Sequence, residues 1–319
     1  MKKTLMLTFL CFFISGCGPE NLQRINPLDP NYSSEGSGVV SGRVMLGGIG
    51  LSNATVALTP SFSGSIVQTN GTGDFSIRGV PAGRDYTLAA SASFLRQTGG
   101  AVVITKLSSG EQRSGYAVAM NENPVLFEDF NGYTGAPATP TWQPGYVGPF
   151  NVNSGVGVSG SNGCQISTGS GQNYFLDSKL ISTGSGIKTK VAMQISGQDS
   201  SCFLKLTDTA GTGVIELGFY NPGGSWGVYR RTPASPTYAI CTSALTASTY
   251  YSFTIVADND ANTVEFSIDN YSGSNVWKSS PQPIWNTSAH NSFNKVSIVL
   301  YNTSGVFACY FDEVKALAK

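Results

Sequence analysis

The chain has 319 residues with 19 basic and 19 acidic side chains, and only 12% of its residues are charged against a usual ~25%. Gly, Ser, Thr and Asn fill the polar positions, which excludes a basic nucleic-acid-binding surface and any strong electrostatic attraction to anionic lipid. A single histidine and six scattered cysteines leave no zinc constellation and no histidine-based nucleophile system.

The N-terminus carries Lys2 and Lys3 ahead of a short apolar run from Leu5 to Ile14, far below the ~20 residues of a membrane span. This pattern predicts an export signal over residues 1–16. The string Ile14-Ser15-Gly16-Cys17 resembles the bacterial lipobox, and that resemblance implies that Cys17 becomes a lipidated N-terminus. Two or three acyl chains hold a protein at a bilayer far better than one. The membrane partner is then reached through the N-terminal lipid, and Gly18 after the cysteine fits outer-membrane sorting in a cell envelope with two membranes. Losing Lys2 and Lys3 with the leader leaves 17 basic residues against 19 acidic, net −2.

Residues 17–38 continue as "GPENLQRINPLDPNYSSEGSG" after the cysteine, with Pro and Gly throughout and no apolar period, so they read as a flexible tether. From Val39 the pattern changes to short alternating runs, "VVSGRVML", "ATVALTP", "GDFSIRGV" and "DYTLAAS", the rhythm of an all-β domain. Over residues 39–120 the order of these strands and their "TNGTGDF" and "VPAGRDY" turns resembles the carboxypeptidase regulatory-like, transthyretin-like β-sandwich family. The resemblance implies a spacer or stabilising module. Gly73 suits a tight turn before Phe75, and Gly83 can finish the Pro81 reversal at positive φ. Related surface modules lock themselves with a Lys–Asn isopeptide bond. Here Arg43 occupies the first strand and Lys106 is the only lysine of the region, so no internal crosslink is expected.

A second region spans 125–319, again strands and glycine turns, and is read as one large β-sandwich. The hairpin "STYYSFTIVADNDANTVEFSIDN" and the closing "FDEVKAL" resemble laminin-G-like and concanavalin A-like jelly rolls. The predicted fold class is therefore all-β, a small transthyretin-like sandwich followed by a larger jelly roll.

Jelly-roll glucanases place two acids two residues apart on one strand face, so that they flank a glycosidic bond. Glu265 and Asp269 are four apart, ~13 Å along a strand. Asp258 and Asp260 fall in the hairpin turn, and the adjacent pairs Glu128-Asp129 and Asp312-Glu313 point to opposite faces. His290 lies in the loop-like "NTSAHNS". The chain is accordingly read as not an enzyme, with no required cofactor: a non-catalytic binding protein whose C-terminal head takes a glycan or a protein partner. The alternatives are a purely structural envelope lipoprotein and a diverged glycoside hydrolase.

For sugar binding, Trp226, Tyr229 and Trp285 are candidate exposed rings, with Trp277 near the last; core packing is the competing reading for each, and Trp142 is read as a core plug. For a metal, the jelly-roll resemblance implies a structural calcium at Asp129 and Asp312, in the first and last strands. The competing reading has Glu128, Asp129, Asp312 and Glu313 facing water between buried Phe127, Phe130, Phe311 and Val314. Cys164, Cys202, Cys241 and Cys309 give either two disulfides, in one of three connectivities, or buried thiols.

Overall fold

The alternating runs of the sequence become strands, and the turn residues between them reverse the chain. The computed structural model describes residues 36–122 and, from 124 onward, all but 133–134, 136, 138–140, 144–149, 169–172, 197–200, 222–226, 244, 287–290 and 302–306. Cys17, Trp226 and His290 lie outside the described residues. Contacts divide the chain into two compact units, one reaching Ala92 and resuming over Arg96–Asn121, the other made of Ser93–Leu95 and Glu122–Lys319. Among the described residues no helix is long and apolar enough to cross a membrane.

The first unit contains β1 (Ser37–Leu46), β2 (Ile49–Gly50), β3 (Thr55–Thr59), β4 (Ile66–Gln68), β5 (Asp74–Pro81), β6 (Tyr86–Ser91), β7 (Leu95–Gln97), β8 (Val102–Ile104) and β9 (Gln112–Glu122). They form one sheet in the order β2-β1-β9-β7, with β5 also on β1, and a second in the order β4-β3-β6-β8. Alternate residues point to one face of a strand. Val40 and Val44, Val56 and Leu58, and Phe75 and Ile77 are therefore buried in pairs. Gly73 has φ +82° and its missing Cβ would lie 2.6 Å from the Val44 carbonyl, so the turn before Phe75 admits no side chain. The next reversal is held by the Tyr86 hydroxyl, which donates to the Pro81 carbonyl at 2.9 Å; Gly83 completes it at φ +84°.

The second unit contains β10 (Pro124–Glu128), β11 (Phe150–Asn153), β12 (Gly163–Thr168), β13 (Asn173–Asp177), β14 (Gly186–Ile195), β15 (Ser201–Asp208), β16 (Val214–Tyr220), β17 (Gly227–Thr232) and β18 (Ser235–Thr242). After these come β19 (Tyr251–Asp258), β20 (Thr263–Asn270), β21 (Asn275–Lys278), β22 (Gln282–Pro283), β23 (Phe293–Tyr301) and β24 (Phe307–Ala318). A nine-stranded sheet runs β11-β12-β24-β14-β19-β20-β21 with β10 on β24 and β22 on β20, and a six-stranded sheet runs β13-β23-β15-β16-β17-β18. The fold is an all-β, jelly-roll-like sandwich. Val191, Phe253 and Phe311 meet Leu204, Leu217 and Ile298 in the core between the sheets.

Trp142 is the plug that its sequence position suggests, 1% exposed and stacked on Phe130 at 6.1 Å. Trp142→Ala should lower the unfolding free energy by about 3–5 kcal/mol, read as a shifted urea midpoint.

The acids of the first and last strands depart from the expected alternation. Phe127 is 54% exposed and Glu128 is buried, because Leu126 and Glu128, two apart, share the inward face of β10. The register of β10 on β24 shifts between Pro124 and Leu126, which reverses the parity. On β24, Glu313 takes φ +50° opposite a register shift on β14 between Lys190 and Ala192. That bulge turns both Phe311 and Val314 inward and buries Asp312 beside them.

Candidate functional site: the second face of the six-stranded sheet

One face of the six-stranded sheet packs on the core through residues such as Cys202, Leu204, Ile215 and Leu217. The other face must carry the intervening positions. Pairing registers place Asp177, Ser297, Lys205, Glu216 and Arg231 in one row across five strands. The neighbouring row is Phe175, Val299, Phe203, Gly218 and Tyr229.

Glu216 is the centre of this face. Its side chain has no exposure, yet it sits away from the hydrophobic core. Oε2 accepts from Arg231 Nε at 2.6 Å and from the Tyr238 hydroxyl at 2.5 Å; Oε1 accepts from the Tyr301 hydroxyl at 2.9 Å. Burial and then the Glu216 charge push both phenols well above their ordinary range, so both hydroxyls keep their protons. Tyr238 stacks on buried Phe203 at 5.1 Å, has Tyr220 4.5 Å away and lies under the Arg231 guanidinium at 5.0 Å. A Cβ at Gly218 would meet the Cys202 carbonyl oxygen at 2.1 Å, so β15 and β16 pair at this distance only with glycine there. Lys205, beside Glu216 in the row, lies 5.5 Å over Phe175.

Of the rings expected to form an exposed platform, Trp226 lies outside the described residues, and Tyr229 and Trp285 are placed otherwise. Tyr229 is 7% exposed, edge-on to Tyr220 at 5.3 Å. Trp285 packs against the core, stacked on Phe293 at 6.0 Å, with Asn262 bonded to both its backbone N–H and its carbonyl. Trp277 also packs on the core beneath the Arg230 guanidinium at 5.3 Å. Loop position next to Gly and Pro suggested exposure, but β22 and the segment after it fold back onto β20 and carry Trp285 with them.

Asp129 and Asp312 do reach a common place, a cavity of about 640 Å³ on the nine-stranded sheet that Lys190, Glu313 and Lys315 also line. Asp312 Oδ2 accepts from the Val158 N–H at 3.0 Å and the Ser161 hydroxyl at 2.7 Å, and Oδ1 accepts from the Glu313 N–H at 2.7 Å. Burial raises its pKa against the pull of these donors. Asp129 Oδ1 accepts from the Asn131 N–H at 3.1 Å. Calcium takes six to eight oxygens, and three N–H and O–H donors already occupy the two Asp312 oxygens. Among the described residues no group of three or more His, Cys, Asp or Glu side chains could hold a metal ion. Adding a calcium chelator should leave the melting temperature where it was; a large drop would show that these carboxylates turn to coordinate an ion.

No protein-family model and no curated protein matches the chain. Solved structures similar to part of the chain are found. One, titled for endo-acting O-glycanases of the human gut microbiota that initiate mucin breakdown, has TM-score 0.45 and 11% identity over 61% of this chain and 99% of its own. The catalytic domain of a glycoside hydrolase family 131 protein from Coprinopsis cinerea has TM-score 0.45 and 15% identity over 62% of this chain and 95% of its own. A β-glucanase of Bacillus licheniformis has TM-score 0.42 and 14% identity over 62% and 99%. Against the expectations that the chain is not an enzyme and that its head is a non-catalytic binder, the solved structures it is similar to are named as O-glycanases, a glycoside hydrolase and a β-glucanase, on the side of the alternative reading. At these identities and TM-scores the chemistry has to be read from the side chains of this chain.

Those side chains depart from the two-carboxylate arrangement. The other acid in the Glu216 row is Asp177, three strands away, or ~14 Å at the usual strand spacing. Inverting pairs stand about 6.5–9.5 Å apart and retaining pairs about 5–5.5 Å. Asp177 is moreover held by Ser297 at 2.6 Å and Lys295 at 3.3 Å. Glu216 itself lies beneath other groups. Above it lies Tyr238, partly buried, with its hydroxyl against the buried carboxylate.

Proposed function

We propose that the second unit cleaves or transfers glycosidic bonds on this face, with Tyr238 as nucleophile and Glu216 as its base. The observation that supports the reading is a fully buried carboxylate outside the core that accepts from the hydroxyl of Tyr238, a partly buried residue. A buried ion is costly, and such groups concentrate at functional sites. A tyrosine can replace the carboxylate nucleophile in glycosidases.

In the first step the Tyr238 oxygen bonds to the anomeric carbon as the glycosidic C–O bond breaks. The phenolic proton passes to Glu216, and the leaving oxygen takes a proton from water. In the second step water attacks the anomeric carbon and gives a proton to the hydroxide left by the first step, the Tyr–carbon bond breaks, and Glu216 returns the proton to Tyr238. Burial and the Glu216 charge hold the proton on the resting hydroxyl, so it is nucleophilic only as that proton passes to the adjacent base. Arg231 and Tyr301 orient the carboxylate. Reducing-end release from a panel of neutral and acidic polysaccharides, assayed with the full chain and with Glu216→Gln, tests this. Release by the wild type alone supports it; no release from any polysaccharide by folded wild type overturns it.

On the N-terminal pattern we also propose that Cys17 carries a lipid anchor, residues 17–38 a tether and residues 39–120 a transthyretin-like spacer, which would present the second unit at an envelope surface. Metabolic labelling with a palmitate analogue should mark the wild type and leave Cys17→Ala unlabelled.

A further inference from the structure

We propose that Cys202 and Cys309 form a disulfide joining the two sheets of the second unit through its core. Cys202 stands on β15 of the six-stranded sheet and Cys309 on β24 of the nine-stranded sheet. Both are fully buried, and their sulfurs are 2.7 Å apart. Both are free thiols here, and that separation is longer than the ~2.05 Å of an S–S bond but leaves the two sulfurs in direct contact across the sandwich.

The other cysteines are worse partners. Cys164 is opposite Phe311, and Cys309 is opposite Ile166, on the β12–β24 pair. Cys164 and Cys309 are thus diagonal neighbours, about 7–8 Å apart, at or beyond the reach of a disulfide. Cys241 is half-buried and turned toward Arg230, whose guanidinium lies 3.7 Å from its sulfur. Of the three ways to pair four cysteines, one contact is therefore built. It leaves Cys164 and Cys241 as thiols.

The bond has to form before the core closes. In the folded chain burial raises the Cys309 thiol well above its ordinary range, and exchange needs a thiolate. During folding, the thiolate of one cysteine attacks a disulfide oxidant and gives a mixed disulfide. The second thiolate displaces the oxidant sulfur, so the oxidant leaves as a dithiol carrying the two electrons and the protein gains one S–S bond. The link spans 107 residues, long enough for it to restrict the unfolded chain strongly.

The full chain, refolded with oxidised glutathione, is unfolded in denaturant with iodoacetamide and no reductant, digested and mapped by mass spectrometry. Cys164 and Cys241 should be alkylated, and the peptides of Cys202 and Cys309 should appear as one linked species that reductant separates. Full alkylation of all four cysteines, or a linked pair other than these two, overturns the proposal.

Discussion

Tyr238→Phe should lower kcat on the polysaccharide the protein cleaves by at least ~10²-fold, the usual scale for losing a positioned proton-transfer group, while the chain stays folded. The stability loss should be about 1.5–3 kcal/mol, since a hydrogen bond to a charged group disappears and the ring still stacks on Phe203. Tyr301→Phe removes the other hydroxyl on Glu216 with a similar stability loss. It should cost much less activity, because Tyr301 orients the base without bonding to the sugar. The contrast separates catalysis from mere support of the carboxylate. Equal activity losses in the two variants would assign both tyrosines to support.

Arg231→Met should produce the largest stability loss of any change on this face, about 3–5 kcal/mol, because it leaves a fully buried carboxylate without its cation. The same substitution in a Glu216→Gln background should cost much less, since the neutral amide needs no counter-charge. Urea unfolding of the two single variants and the double variant gives the coupling. Additive losses would show that the Glu216–Arg231 contact contributes little, and the placement of a charged base on this face would lose its support.

Much of the fold is legible in the sequence. Runs such as "VIELGFY", "YYSFTIVAD" and "VEFSIDN" have the length and period of strands, and they are β16, β19 and β20. The strands that reading by period passes over, β11, β12, β17 and β18, are rich in Asn, Gln, Thr and Arg. In β17 and β18 neighbouring residues have similar burial, so alternation gives no contrast; β11 and β12 alternate, but they are only four and six residues long.

The site was harder to read for the same reason. Glu216 stands in plain view inside an apolar strand, but a search for carboxylate pairs passes over a lone acid. Its partners come from β17, β18 and β23, between 15 and 85 residues away, and only the pairing register aligns them. The aromatic candidates failed for a different reason: Trp285 sits in a segment whose loop-like composition hides a short β22 pairing with β20, and that pairing pulls the ring onto the core. Parity on β10 and β24 was lost to bulges, which composition does not reveal. An acid inside an otherwise apolar strand is the signal that would have found Glu216, since such a charge stays buried only with partners supplied by neighbouring strands.

The most direct test of a tyrosine nucleophile is to quench the protein during turnover of a cleaved polysaccharide, digest it and map the glycosyl-bearing peptide by mass spectrometry. A sugar-sized mass increase on Tyr238, absent from Tyr238→Phe, is the predicted result. Turnover with no adduct on Tyr238, and with activity retained in Tyr238→Phe, would contradict it.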